Sequence, residues 1–426
     1  MWFGVEVEWS TAGAEERWTK VLVEGEERAR WNTHALSVSQ DSDESIGWVT
    51  WVHNGRLAFT LAVPCASEPN QEGLPADPVA ATFWALTCWD EQHHRLTRDH
   101  HGRPTTEQLP WTGLAGSAEF GNHTLPLNVQ HRWPWVEIMW HSLLTEWGFE
   151  LRRGLTFQPS VDVDVAFKHL GRPRWKTWVL QVRDVLLGRL AEAAERLRVI
   201  RGHQQDPYDT YGWLKEVHVD EELWWFVLAA RRSKPYDIGL DPEGSVLPHL
   251  VESLSWHPGG TRVGWHPGYQ AMNHKGVREE EGRRFGLWEG SDGKVLRAHF
   301  LRSEPGEAWE WWDDCGVETD ASLGWSRDVG FRAGVSRPFR AYSLNEERGL
   351  GLSIHPVAVM DSALRVGQGW SPERARTELE SLMKVVSDVG GVWMSCWHNT
   401  SVSNRDEWAG WRATFLHMVR TARGLA

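Results

Sequence analysis

Cysteine is scarce in this 426-residue chain. There are four, Cys65, Cys88, Cys315 and Cys396, and no two form a CxxC pair. That scatter excludes a zinc ribbon and a thioredoxin-type motif and fits a reducing compartment. Positive charge is also short: 45 Lys and Arg stand against 58 Asp and Glu, giving a formal net charge of -13. With no dense basic stripe to offset it, the balance argues against a partner of duplex nucleic acid. Long apolar runs are missing. The longest, Leu223–Ala230, is far below the roughly 20 residues of a membrane span. The start, MWFGVEVEWS, has neither a basic nor an apolar leader region, so the expected location is cytoplasmic. Tyrosine numbers only 5 while tryptophan numbers 30, an excess that admits two readings. Trp fills core positions, its commoner role, or some Trp line a groove for sugars, whose C–H faces stack on aromatic rings.

Apolar residues make up 41% of the chain and charged residues 24%, an ordinary globular balance that excludes disorder and coiled coil. At about 150 residues per domain the length predicts two or three domains. Residues 1–154 read as an α+β accessory domain. Strand-like runs at Trp2–Trp9, Ile46–His53 and Leu57–Val63 are separated by Gly, Asp, Ser and Asn. Asp77-Pro78 opens a helical pattern. A polar stretch near residues 92–108 holds His93, His94 and His100 without ligand spacing, which reads as a solvated loop. Pro134–Trp147 predicts a helix stopped by Gly148.

A different pattern begins at residue 155 and runs to 426. Strict alternation in VDVDVAF predicts a strand, and amphipathic spacing over about 173–201 predicts one long helix. An apolar run at 223–230 and a helix near 246–256 follow. Short strands are predicted near 262–266, 295–301, 317–325, 352–360 and 391–397, with helices at Pro372–Val389 and Trp408–Ala422. Strands alternating with helices predict parallel βα units. About seven such units fit a barrel, with functional residues at the strand C-terminal ends.

The chemistry-bearing residues cluster at those ends. Asp162 and Asp164, two apart in a strand, project to one face. The flanking Val161, Val163 and Val165 imply a buried strand, where two carboxylates are costly unless paired or bound to metal. His266, His299 and His398 each follow a strand-like run. Two His and one Asp suit zinc or a similar divalent ion with a position left open for water. Arg297, two residues before His299, is placed to keep a carboxylate ionised.

The stretches PSVDVDVAFKH, DPYDTYGWL, VGWHPGY, LRAHFLR, VGFRAGVSRPF, IHPVAVMD and MSCWHNTSVS, in that order, resemble the polysaccharide deacetylase superfamily (NodB-type, carbohydrate esterase family 4). The resemblance is to a divergent bacterial branch with an extra N-terminal domain, and DPVAATFWALTCWDE and DHHGRPTTE extend it into that domain. It implies a distorted (β/α) barrel and metal-dependent removal of N-acetyl groups from an amino-sugar glycan or its precursor, in surface-polysaccharide metabolism. Carried over by position, Asp162 resembles the general base, with Arg297 orienting it. Asp164 and His266 resemble metal ligands, and His398 the general acid, with Asp320 as its partner. Tyr269, Arg332, Asp361, Trp397 and Asn399 are the implied substrate-binding or supporting residues. The implied ion is Zn2+, with Co2+, Ni2+ or Fe2+ as alternatives. Two positions depart from the family. Gln270 stands where a second metal His is usual, and Cys396 replaces the usual Leu two residues before His398. We expect His299 to supply the missing ligand from the adjacent strand. The alternatives are a catalytically inactive barrel that binds carbohydrate, and a hydrolase of another amide or ester on the same scaffold.

Overall fold

A computed structural model describes residues 78–426 except 94, 95, 110, 114, 147, 148 and 234, together with five strands nearer the N-terminus. Those strands are β1 (Glu8–Thr11), β2 (Trp18–Val23), β3 (Glu26–Asn32), β4 (Ile46–His53) and β5 (Arg56–Pro64). The first three form an antiparallel sheet, and β4 and β5 form a hairpin. The expected strand at Trp2–Trp9 lies outside the described residues up to residue 7, as do Cys65, Asp77, His94, Trp147 and Gly148. Helices Pro78–Leu86 and Trp135–Glu146 flank a second hairpin, β6 (Ser117–Phe120) with β7 (His123–Pro126).

The rest of the chain is built on one nine-stranded sheet. Its strands are β8 (Thr156–Val163), β9 (Leu223–Leu228), β10 (Thr261–His266), β11 (Asp292–Leu296), β12 (Thr319–Asp320), β13 (Phe339–Ser343), β14 (Arg348–Ile354), β15 (Val359–Met360) and β16 (Val392–His398). Their order is β13-β14-β12-β11-β10-β9-β8-β16-β15, and every neighbouring pair is parallel except β13–β14. One isolated parallel bridge, Gly324 with Val357, joins the segment after β12 to the segment before β15. Central strands of a parallel sheet are covered on both faces and read as continuous apolar runs. β9 (LWWFVL) does so, and all six of its residues are buried.

The two faces of the sheet have different contents. A small apolar cluster of Trp224, Phe226, Val295, Met394 and Cys396 lies on one side. The larger cluster takes the residues of opposite parity, Trp225, Val227, Trp393 and Trp397. That larger cluster runs on into Ala81, Trp84, Trp111, Trp135 and Met139, so the segment before residue 150 shares a core with the sheet. Glu91 and Arg332, both buried, form an ion pair between the two parts. Most described Trp pack in these cores.

Four predicted elements come out differently, one being the strand expected near 295–301, which is Asp292–Leu296 followed by a 3-10 turn at His299–Leu301. The single helix over 173–201 is two, Arg174–Leu186 and Leu190–Ile200, because Gly188 adopts φ +70° between them. A positive φ favours glycine and stops the helical ladder. The strand expected at 317–325 is only Thr319–Asp320. The strand expected at 352–360 is split between β14 and β15, which sit at different places in the sheet.

Candidate functional site

The site is assembled at the C-terminal ends of the parallel strands. Asp162 lies in β8 and Asp164 just past its end; the β8–β16 register sets His398 directly opposite Asp162. His266 ends β10. Beyond β11 the backbone keeps its pairing with β10: the Arg297 N–H donates to the Trp265 carbonyl and the His299 N–H to the Pro267 carbonyl. That extension carries Arg297 and His299 to the same end. Gly268 lets the segment after β10 pack closely on the segment after β9, because a Cβ there would lie 2.4 Å from the Ala230 Cβ. Immediately after His299, Phe300 takes φ +63° and Leu301 φ +55°, left-handed backbone that non-glycine residues adopt at a cost of order 1 kcal/mol or more.

Asp164, His266 and His299 each offer a ligand atom, and the three atoms all lie within 4.8 Å of one another. Asp164 Oδ1 is 3.1 Å from His266 Nε2, and Asp164 Oδ2 is 3.3 Å from His299 Nε2. His398 Nε2 approaches the same carboxylate at 3.4 Å. Each imidazole has its other nitrogen fixed by an acceptor. His266 Nδ1 donates to the Arg297 carbonyl at 2.5 Å, His299 Nδ1 to Asp237 at 3.0 Å, and His398 Nδ1 to Asp361 at 2.8 Å. With Nδ1 as donor, His266 and His299 turn Nε2 to Asp164 as the nitrogen a metal would take once it carries no proton, and such outer partners are how proteins orient metal-binding His.

The donor set fits a cation. Asp164 Oδ1 and His266 Nε2 are buried, face each other, and have no hydrogen-bond partner. Two lone pairs so placed repel unless a proton or a metal cation lies between them. One carboxylate oxygen and two imidazole nitrogens suit a divalent ion such as Zn2+. Gln270 contributes nothing here; its carbonyl accepts from the Asn273 and His274 N–H groups.

The flanking groups are strongly polarised. Burial pushes the Asp162 carboxyl up, but the Arg297 guanidinium, then His266 and His398, outweigh it and hold it below the usual range. Arg297 is itself fully buried. It donates to Asp162 Oδ1 at 2.7 Å, to the Ser160 hydroxyl at 2.8 Å and to the Ala321 carbonyl at 2.8 Å. The Cys396 thiol donates to Asp162 Oδ2 at 3.2 Å, so the residue that replaces the usual Leu has a polar task. Burial lowers His398, but Asp361 and Asp164 together raise it well above the ordinary imidazole value. By the same opposition His299, between Asp164 and Asp237, rises to about 9.

A cleft of about 430 Å³ opens over these groups. Asp162, Asp164, His266, His299 and His398 line it, along with Phe300, Met360 and Trp408. The N-terminal segment adds His100, His101 and Arg103. Arg103 donates to the Phe300 carbonyl and Arg302 to the His101 carbonyl, tying that loop to the segment after His299.

Several expected residues stand elsewhere. Asp320 does not meet His398: its carboxylate accepts from the Ser303 hydroxyl and the Ser322 N–H. Asp361 takes that place. It accepts from both the ring and the backbone N–H of His398, and it is fully buried, not open to a substrate. Trp397 alternates to the other face of β16 and packs on Phe415. Arg332 is locked to Glu91. The Asn399 amide donates to the Val165 and Tyr208 carbonyls. Tyr269 stacks on Tyr236, with its hydroxyl 3.2 Å from His101 Nδ1. Asp237 and His101 were missed by the sequence reading. Asp237 sits in no quoted motif, and His101 lies in DHHGRPTTE, to which no site role was given; the tertiary contacts identify both.

No family model and no curated protein matches the chain. Among solved structures, a candidate polysaccharide deacetylase from Mycobacterium smegmatis aligns at 12% identity and a TM-score of 0.40, over 63% of this chain and 83% of that one. A 4-alpha-glucanotransferase from Thermococcus litoralis aligns at 12% identity and a TM-score of 0.37, over 63% of this chain and 37% of that one. Likenesses this low assign nothing by themselves.

Proposed function

We propose that the chain is a divalent-metal-dependent hydrolase that removes N-acetyl groups from an amino-sugar glycan or its precursor. The observation that carries this reading is the convergence of Asp164, His266 and His299 in one cleft with Asp162 and His398. The amino-sugar substrate rests on the order of the motifs that resemble the deacetylase superfamily. We read the sheet as a distorted (β/α) barrel with its seam at the Gly324–Val357 bridge. Residues 155–426 are then the catalytic unit and 1–154 the accessory unit.

Asp164, His266 and His299 would hold the ion. When bound, such an ion lowers the pKa of a water and polarises a carbonyl. Asp162 accepts the water proton at Oδ2, which takes only the weak Cys396 thiol and keeps a second lone pair, while Arg297 holds Oδ1. The water oxygen bonds to the acetyl carbon. His398 enters protonated, because the buried Asp361 carboxylate beside its Nδ1 favours the cationic form. It gives its Nε2 proton to the amide nitrogen as the C–N bond breaks, releasing acetate and the free amine.

The test is elemental analysis of protein purified without chelator, followed by acetate release from N-acetylated sugars and aryl acetates. About one ion per chain and acetate release from an amino sugar are expected. A chain that stays metal-free after incubation with zinc, cobalt, nickel or iron rules the reading out. Turnover of aryl acetates alone assigns a different esterase or amidase.

A further inference from the structure

The helix Arg174–Leu186 is inside out. Its buried side is polar, with Gln181 and Asp184 both buried. Gln181 donates to the Ala193 carbonyl and accepts from Arg196, and Arg196 also donates to Asp184. Its outward side is apolar. Trp175, Trp178, Val179, Val182, Val185 and Leu186 recur at the spacing of a single helical stripe, and each is between 48% and 80% exposed. Leu187 and Leu190, on either side of the break at Gly188, continue the exposed apolar surface. A contiguous apolar face of this size marks a surface that something covers.

Its charge says what kind of surface. From Gly171 to Ala191 the only acid is Asp184, which is buried and paired with Arg183 and Arg196. The exposed charged residues are Arg174, Lys176, Arg183 and Arg189, all cationic in a chain of net charge -13. A cavity of about 260 Å³ adjoins this face, lined by Arg172, Lys176, Arg231 and Arg232 together with Asp241 and Glu243, the last paired with Arg231. It also reaches Val165, the residue after Asp164. The cavity and the metal cleft therefore lie at the same end of the strands.

We propose that the face from Arg174 to Leu190 is a peripheral docking surface for an anionic lipid bilayer. The apolar stripe would enter the headgroup boundary and the flanking cations would engage lipid phosphates, as interfacial helices rich in Trp, Leu and Lys or Arg do. Pairing with a second copy through the same face brings like charges together, which disfavours self-association. No helix among the described residues is long and apolar enough to cross a membrane, so the helix lies on the bilayer and does not span it. Resting on the deacetylase reading, this makes the substrate a lipid-borne amino sugar whose headgroup reaches the cleft from the membrane surface.

The experiment is flotation of the full chain with phosphatidylcholine vesicles, with and without phosphatidylglycerol. Wild type is expected to float only with phosphatidylglycerol, and less at high salt. A Trp175→Ser/Trp178→Ser/Val182→Ser variant should bind roughly tenfold more weakly or worse. An Arg174→Gln/Lys176→Gln variant should bind less while keeping the stripe. These side chains are exposed, and circular dichroism of each variant checks the fold. Wild type that stays free of anionic vesicles overturns the proposal. If it instead forms a dimer that the triple variant abolishes, the face is an interface between copies. Metal content, measured on the same samples, reports on the deacetylase reading separately. A metal-free chain that still floats loses its enzymatic reading but keeps the docking surface.

Discussion

Two groups of His and carboxylate residues bring three ligand atoms equally close: Asp164, His266 and His299, and His169, Glu192 and Glu195. Their surroundings are opposite. In the second group Lys168 pairs with both Glu192 and Glu195, Arg405 donates to Glu195 at 2.6 Å, and His169 meets Glu195 at 3.0 Å. Its negative charge is already answered by the protein's own cations, and an added divalent ion would be repelled. In the first group no Lys or Arg among the described residues pairs with Asp164, whose charge is met only by the imidazoles of His266, His299 and His398. Its one Arg, Arg297, is spent on Asp162. Proximity of donors is thus a weak criterion for a metal site. Whether the donors are met by permanent cations, Lys and Arg, or only by imidazoles that can yield a proton to a metal is a stronger one.

The largest expected effect tests that contrast directly. His299→Ala removes one of three ligands and should abolish metal binding and acetate release together. His169→Ala should leave the metal content unchanged. Elemental analysis of both variants decides it, and retention of the ion by His299→Ala would show that the contrast misidentifies the third ligand. Next comes Asp361→Asn, which leaves the ligands in place but weakens the charge that keeps His398 protonated. Acetate release from amides should fall roughly 100-fold or more at constant metal content. Aryl acetates, whose leaving group departs without a proton, should lose much less. An equal loss on both substrates would mean that Asp361 is structural. A smaller effect is expected of Asp237→Asn, which disturbs only the outer partner of His299. The metal should bind about 10–100-fold more weakly, with activity restored at saturating metal. Titration with a competing chelator measures the change.

These contrasts also mark how far the sequence could be read. That Asp162 and Asp164 share a face follows from alternation, and that His266, His299 and His398 stand at strand ends follows from the apolar runs before them. The partner of His398 did not follow. Asp320 ends the short strand β12 and Asp361 directly follows the short strand β15, and nothing local distinguishes them. The sheet order does: β15 pairs with β16 through Met360 and Cys396, while β12 lies on the far side of β11, β10, β9 and β8. The helix after residue 173 gives a second case. Apolar period correctly predicts helix, but it reports a stripe and not which way the stripe faces. Only the burial of Gln181 and Asp184 shows that this one faces out. Short-range pattern fixes element type and face parity, whereas neighbour order and orientation are decided by contacts far apart in the chain.

The smallest expected effect belongs to the second group and concerns stability, not chemistry. Burial pushes the Glu195 carboxyl up, but His169, Lys168 and Arg405 outweigh it and lower it from 4.5 to about 2. The unfolded chain therefore binds a proton at Glu195 that the folded chain refuses between those values. The sign follows: this stabilisation is fully present above about pH 4.5 and is lost as pH falls towards 2. After allowance for solvent screening it is on the order of 2 kcal/mol. Glu195→Gln should destabilise the protein by that amount at pH 7 and converge with wild type near pH 2–3. Denaturant unfolding of both at several pH values reads the difference. A constant gap across the range would show that the ion pairs contribute only packing. A loss of bound metal in Glu195→Gln would move the metal site to this cluster and reverse the comparison on which the functional reading stands.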